Sequence, residues 1–167
     1  SALMYDINQM YYDSRIELLN IDPNPERLFT VLDKKNIHHL RAFIQDVDTH
    51  NFDALEENDI LFVDSSHVSK TDSDLNYILF YILPQLKKGV IIHFHDIFFP
   101  FEYPVTWLEQ GISWNEIFLL RAFLMNNSSY KIVFWNSYMA HWDEFKDVFN
   151  PEKNENTYCS SLWLQKI

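Results

Sequence analysis

The chain has 167 residues, 47% hydrophobic and 17% aromatic, with a formal net charge of −11. That is enough apolar material for one packed domain and too much for a disordered one. The acidic balance and the lack of any Lys/Arg run argue against nucleic acid or an anionic membrane as partner. No apolar stretch reaches transmembrane length and no leader pattern is visible. The lone cysteine, Cys159, forbids an internal disulfide and suggests a reducing, cytoplasmic setting. Glycine is scarce, with only Gly89 and Gly111, so no glycine-rich phosphate or cofactor loop is present.

In chain order, residues 2–12 read as a helix with Leu3, Ile7 and Met10 on one face. Residues 15–21 read as a strand ending on Asp22. Asn24 and Pro25 start a helix over PNPERLFTVLDK, with Leu28, Val31 and Leu32 facing a sheet. Residues 39–44 read as a further strand, followed by Gln45, Asp46 and Val47. Residues 51–57 form a short helix or turn.

The centre of the chain is more regular. Residues 60–63 (ILFV) end on Asp64, and residues 90–94 (VIIHF) end on His95 and Asp96. Unbroken apolar runs suit strands buried on both faces of a parallel sheet. Between them Leu75, Ile78, Leu79, Ile82, Leu83 and Leu86 make one helical stripe. This is a βαβ unit with a right-handed crossover.

Beyond it, FFPFEYPVTW reads as an ordered proline-broken loop over the sheet's carboxyl edge. Ser113 caps a helix running to Met125. Residues 130–136 form a strand, HWDEFKDVF a short helix and residues 150–156 a polar loop. Residues 161–166 alternate as an antiparallel strand at or near the sheet edge. The expectation is a doubly wound, mostly parallel α/β sheet in a single domain over residues 1–167, with 97–126 as a loop–helix insertion.

Open α/β sheets bind ligands outside the carboxyl ends of their strands. Asp22, Asp46, Asp64 and Asp96 all fall there. Asp22 has the placement of a carboxylate that takes both hydroxyls of a ribose, although an acid after a strand also serves simply as a turn residue. Asp64, His67, His95 and Asp96 form a second group, with three open uses: a metal site, general-base catalysis, or hydrogen bonding to loop backbone. His93, in mid-strand, fits the last of these. The aromatic loop and Trp114 are either a substrate cap or a cover for the sheet's edge.

The stretch DILFVDSSHVSKTDSDLNYILFYILPQLKKGVIIHFHDIFFPFEYP resembles class I S-adenosylmethionine-dependent methyltransferases. The nearest group is the small-molecule one with D-x-x-H after strand 4 and H-D after strand 5. IDPNPERL, WNEIFLLRAFL and SLWLQK resemble that family's end of strand 2, inserted helix and antiparallel last strand. The resemblance implies a Rossmann-like sheet, here N-terminally incomplete, lacking strand 1 and its glycine-rich loop. It makes residues 16–21 strand 2, residues 42–44 strand 3, and residues 60–63 and 90–94 strands 4 and 5. It implies methyl transfer from S-adenosylmethionine to a small-molecule acceptor. Asp22 would then take the ribose, Asp46 and Val47 adenine, and Asp64 the methionine end. His67, His95 and Asp96 would lie at the reaction centre. A divalent metal such as Mg2+ on Asp64 and Asp96 is an option the resemblance leaves open. The alternatives are a metal-dependent hydrolase using Asp64, His67, His95 and Asp96, or a non-catalytic scaffold. A sheet lacking a central strand exposes strand edges, so a homo-oligomer is a further expectation.

Overall fold

The computed structural model describes residues 2–31, 38–145, 148 and 160–167. The chain divides into two compact units, Ser1–Asp48 and Thr49–Ile167. Strands and helices alternate, so the fold is α/β.

In the first unit, helix α1 (Ala2–Tyr12) precedes strand β1 (Leu19–Ile21), helix α2 (Glu26–Phe29) and strand β2 (His38–Leu40). β1 and β2 pair in parallel, Leu19 with His38 through Ile21 with Leu40. β1 starts later than the expected residue 15, for a local reason. The buried Asn8 side chain donates to Ile16 O at 2.8 Å and accepts from Ile16 N at 3.0 Å. The Ile16 main chain is therefore already paired. The expected strand at 39–44 instead ends at Leu40, whose carbonyl accepts Ala42 N, and Ile44–Asp46 is a 3₁₀ turn. The Asn24 side chain makes no cap; α2 opens on Pro25. The expected apolar face of α1 is exposed, at 69% for Leu3 and 71% for Met10, as is Val31. The rest of the expected helix, including Leu32, lies outside the described residues.

The second unit holds the βαβ element as the pattern predicts. Strands β3 (Ile60–Val63) and β4 (Ile91–His95) pair in parallel, Ile60 with Ile91 through Val63 with Phe94. The crossover is helix α3 (Asp74–Tyr77), a π turn (Ile78–Ile82) and helix α4 (Leu83–Gln85). All six residues of the predicted stripe are buried. The π turn falls just before Pro84, which has no N–H to continue the α pattern. Gly89 turns the chain into β4 at φ +89°, where a Cβ would lie 2.5 Å from Glu57 Cγ.

Burial on both faces holds for β4 but not for β3, whose Val63 is buried while Ile60 and Phe62 are exposed. Phe62 stacks on His93 at 4.2 Å, and Trp163 meets the same ring edge-on.

Helices α5 (Val105–Glu109) and α6 (Glu116–Leu124), strand β5 (Tyr130–Trp135), helix α7 (Asn136–Met139) and strand β6 (Ser161–Lys166) complete the unit. The proline-rich stretch is thus not wholly irregular: Pro104 opens α5, a position proline suits. The sheet order is β3-β4-β6-β5, with β6 antiparallel to both neighbours. β6 thus lies next to the edge strand β5, near the edge as expected, and its Leu162 and Leu164 are fully buried.

The described strands form two sheets where the sequence suggested one. Of the expected helix in HWDEFKDVF, Asp143–Phe145 is a 3₁₀ turn. Its later part, the loop at 150–156 and Cys159 lie mainly outside the described residues. No helix among the described residues is long and apolar enough to cross a membrane.

Candidate active site

The parallel register of β3 and β4 brings Asp64, just past Val63, beside His95 and Asp96 at the strands' carboxyl ends. The loop after β3 then folds back on itself. Ser66 donates through both N and Oγ to the Asp74 carboxylate, at 2.6 Å each. Ser73 Oγ accepts Asn76 N as the cap of α3. This sets His67 in the left-handed region at φ 59°, and Asp96 shares that conformation at φ 57°. Strained backbone of this kind gathers at functional sites.

His67 is the hub. Its Nδ1 lies 2.5 Å from Glu116 Oε2, and its Nε2 lies 3.5 Å from Asp64 Oδ1 and 3.9 Å from Asp96 Oδ2. Trp114 stacks on the ring at 4.0 Å. The His67 carbonyl accepts the N–H groups of Asn115 and Glu116, both at 3.1 Å. Asp96 reaches in two directions, with Oδ1 3.7 Å from His95 Nε2 and also accepting Ser160 Oγ at 2.8 Å. The four residues singled out from the sequence thus come together.

The electrostatics follow from this packing. Burial alone would lower the His67 pKa, but hydrogen bonds to Asp64 and Glu116 outweigh it and hold it up to about 9. His67 is therefore an imidazolium at neutral pH. Its hydrogen bond holds Asp64 below the usual carboxylate range. Burial raises the Glu116 carboxyl, and the hydrogen bond and charge of His67 oppose this. Burial also raises the Tyr103 phenol, whose oxygen accepts Ile117 N. His93 is pushed down to about 4 by burial and then by the charge of His95. Neither of its ring nitrogens has a hydrogen-bond partner among the described residues, so the backbone hydrogen bond expected for it does not form.

The donor set does not fit a metal. Asp64 and Asp96 both face an imidazolium nitrogen, and no group of three His, Cys, Asp or Glu among the described residues could hold an ion.

In the first unit, Asp22 follows β1 as expected and is exposed, with Oδ1 accepting Asn24 N at 2.7 Å. Asp46 is exposed and Val47 buried.

Sequence reading missed Glu116 and took Ser113 as the cap of a longer helix. The observed N-cap is Asn115, and its side chain bonds Ser69 rather than the helix: Oδ1 accepts Ser69 N and Nδ2 donates to Ser69 O. A signal for Glu116 did exist. It lies four residues before the fully buried Leu120 and shares its stripe, so a charge was due to be buried there.

A β-α-β element with ionisable residues after both strands is a ligand-binding α/β layout. The comparison with known families is consistent with that class. The family model described as "Methyltransferase domain" matches residues 6–97, more than half of the chain. The chain belongs to this methyltransferase domain family. No curated protein and no solved structure matches it.

Proposed function

We propose that this protein transfers the methyl group of S-adenosylmethionine to a hydroxyl of a small-molecule acceptor. The observation that carries the reading is the cluster of Asp64, His67, His95 and Asp96 at the tips of two strands inside a methyltransferase domain. The family implies methyl transfer, and S-adenosylmethionine supplies a methyl already activated on a sulfonium. What remains for the protein is alignment and proton removal. Alignment is worth roughly 7–11 kcal/mol at best.

The two histidines divide the work. His95, with a side chain 44% exposed, has Asp96 beside Nε2. It takes the acceptor's proton as the new C–O bond forms and the C–S bond breaks. His67 is buried and already protonated, so it serves by charge, holding Asp64 and Asp96 in place. Asp64 faces the methionine end of the donor. Asp22 is the residue for the ribose hydroxyls, and Asp46 with Val47 for adenine.

Isothermal calorimetry with S-adenosylmethionine tests the reading. The expected result is saturable binding that weakens in Asp64→Ala. No heat at millimolar cofactor would overturn it.

A further inference from the structure

We propose that Glu116 is a positioning residue: it fixes the His67 ring so that Nε2, and not Nδ1, faces Asp64 and Asp96. The proposal rests on the methyl-transfer reading above and adds a residue beyond the matched segment 6–97.

Three observations carry it. First, both carboxylate oxygens of Glu116 are engaged at the β3 loop. Oε2 is 2.5 Å from His67 Nδ1, and Oε1 accepts Ser65 Oγ at 3.2 Å. Ser65 Oγ in turn accepts His67 N at 2.9 Å, so Glu116 grips the ring and the main chain of the same residue. Second, the ring plane is set independently by Trp114, stacked at 26°. Stacking leaves one ambiguity, a flip of the imidazole about its own axis, and only a partner for a particular nitrogen removes it. Third, Glu116 is 1% exposed and shares its stripe with Ile117 and Leu120. A leucine there would continue that stripe, and a buried ion pair is weak support for stability by itself. Orientation gives the acid a purpose that packing does not.

The geometry therefore reads as a relay of position. Glu116 sets the ring, and the ring sets the two carboxylates at the strand tips. Carboxylates that orient a functional imidazole are the known form of such support.

The test is a long-range proton–nitrogen spectrum of the histidine side chains in the wild-type protein, assigned with His67→Gln. The expected signature is a His67 Nδ1 that carries a proton, strongly downfield, in a short hydrogen bond. In Glu116→Gln that signal moves upfield, and Glu116→Asp restores part of the shift. A bare Nδ1 in the wild type overturns the proposal whether or not any variant folds. So does a His67 signature unchanged in a folded Glu116→Gln, which is the outcome a purely structural role gives. The reading beneath it fails separately: absence of calorimetric binding with S-adenosylmethionine alongside an intact Nδ1 signature would sink methyl transfer and leave the positioning role standing.

Discussion

The two units use the same kinds of residue and reach different ends. In Thr49–Ile167 the apolar stripe of the crossover meets a four-stranded sheet, and Leu75, Leu83, Ile92, Phe94, Leu162 and Leu164 are completely buried. In Ser1–Asp48 the described strands have three residues each, and Leu3, Met10 and Tyr11 on α1 stay exposed. That unit is held instead by polar ties, with Asn8 on Ile16, Tyr5 on Leu18, and Asn20 on Tyr5. The contrast teaches that helical periodicity states which face is apolar, not whether a partner surface is there to bury it.

The comparison breaks most visibly in the core. Leu79→Ala removes a side chain that is 1% exposed. It should destabilise the second unit by about 2–5 kcal/mol in denaturant titration. Leu3→Ala, on the exposed face of α1, should stay within about 0.5 kcal/mol. Equal effects would show that the exposed stripe is covered in solution.

The next effect is electrostatic. The His67 pKa is raised from 6.5 to about 9, so its contribution is complete below pH 6.5 and is lost as pH rises through 9. The second unit should therefore lose up to about 3 kcal/mol between pH 6 and pH 10. His67→Gln should flatten that slope. A wild-type slope unchanged in His67→Gln would place the titration elsewhere. The first unit offers the smallest of the three effects. Asn8→Ala removes two hydrogen bonds to Ile16. It should open that loop by about 1–3 kcal/mol, read as faster exchange of the Ile16 amide. Unchanged exchange would mean that other contacts hold residues 13–18.

Much of the second unit was legible because its signals are local. The stripe from Leu75 to Leu86 repeats at the helical period, and β3 and β4 are short apolar runs ending in ionisable residues. The strand tips therefore placed Asp64, His67, His95 and Asp96 together before any coordinates. Other features depend on partners far along the chain. The stripe of α6 signalled that Glu116 is buried, but not that its partner is His67, 49 residues away, and nothing near residue 16 announces that Asn8 will take its main-chain bonds. The expected strand over 42–44 failed for a related reason. Its residues turn back on Leu40 at once, a choice made by a single carbonyl. The place of β6 near the sheet edge was legible from its alternating pattern, but its pairing with both β4 and β5 was not.

That position has a consequence for how the protein is made. Among the described residues β5 pairs only with β6, and β4 bonds to β6 along its whole length, Ile91 with Gln165 through His95 with Ser161. On a ribosome, the β3–α3–β4 element emerges early and can form at once. The sheet cannot close until residue 166 has left the exit tunnel. Pairing Ile92 with Leu164 closes a long loop, the kind of contact that slows folding. Through that interval the edge of β4 that β6 later covers is unpaired, and an unpaired edge invites wrong partners.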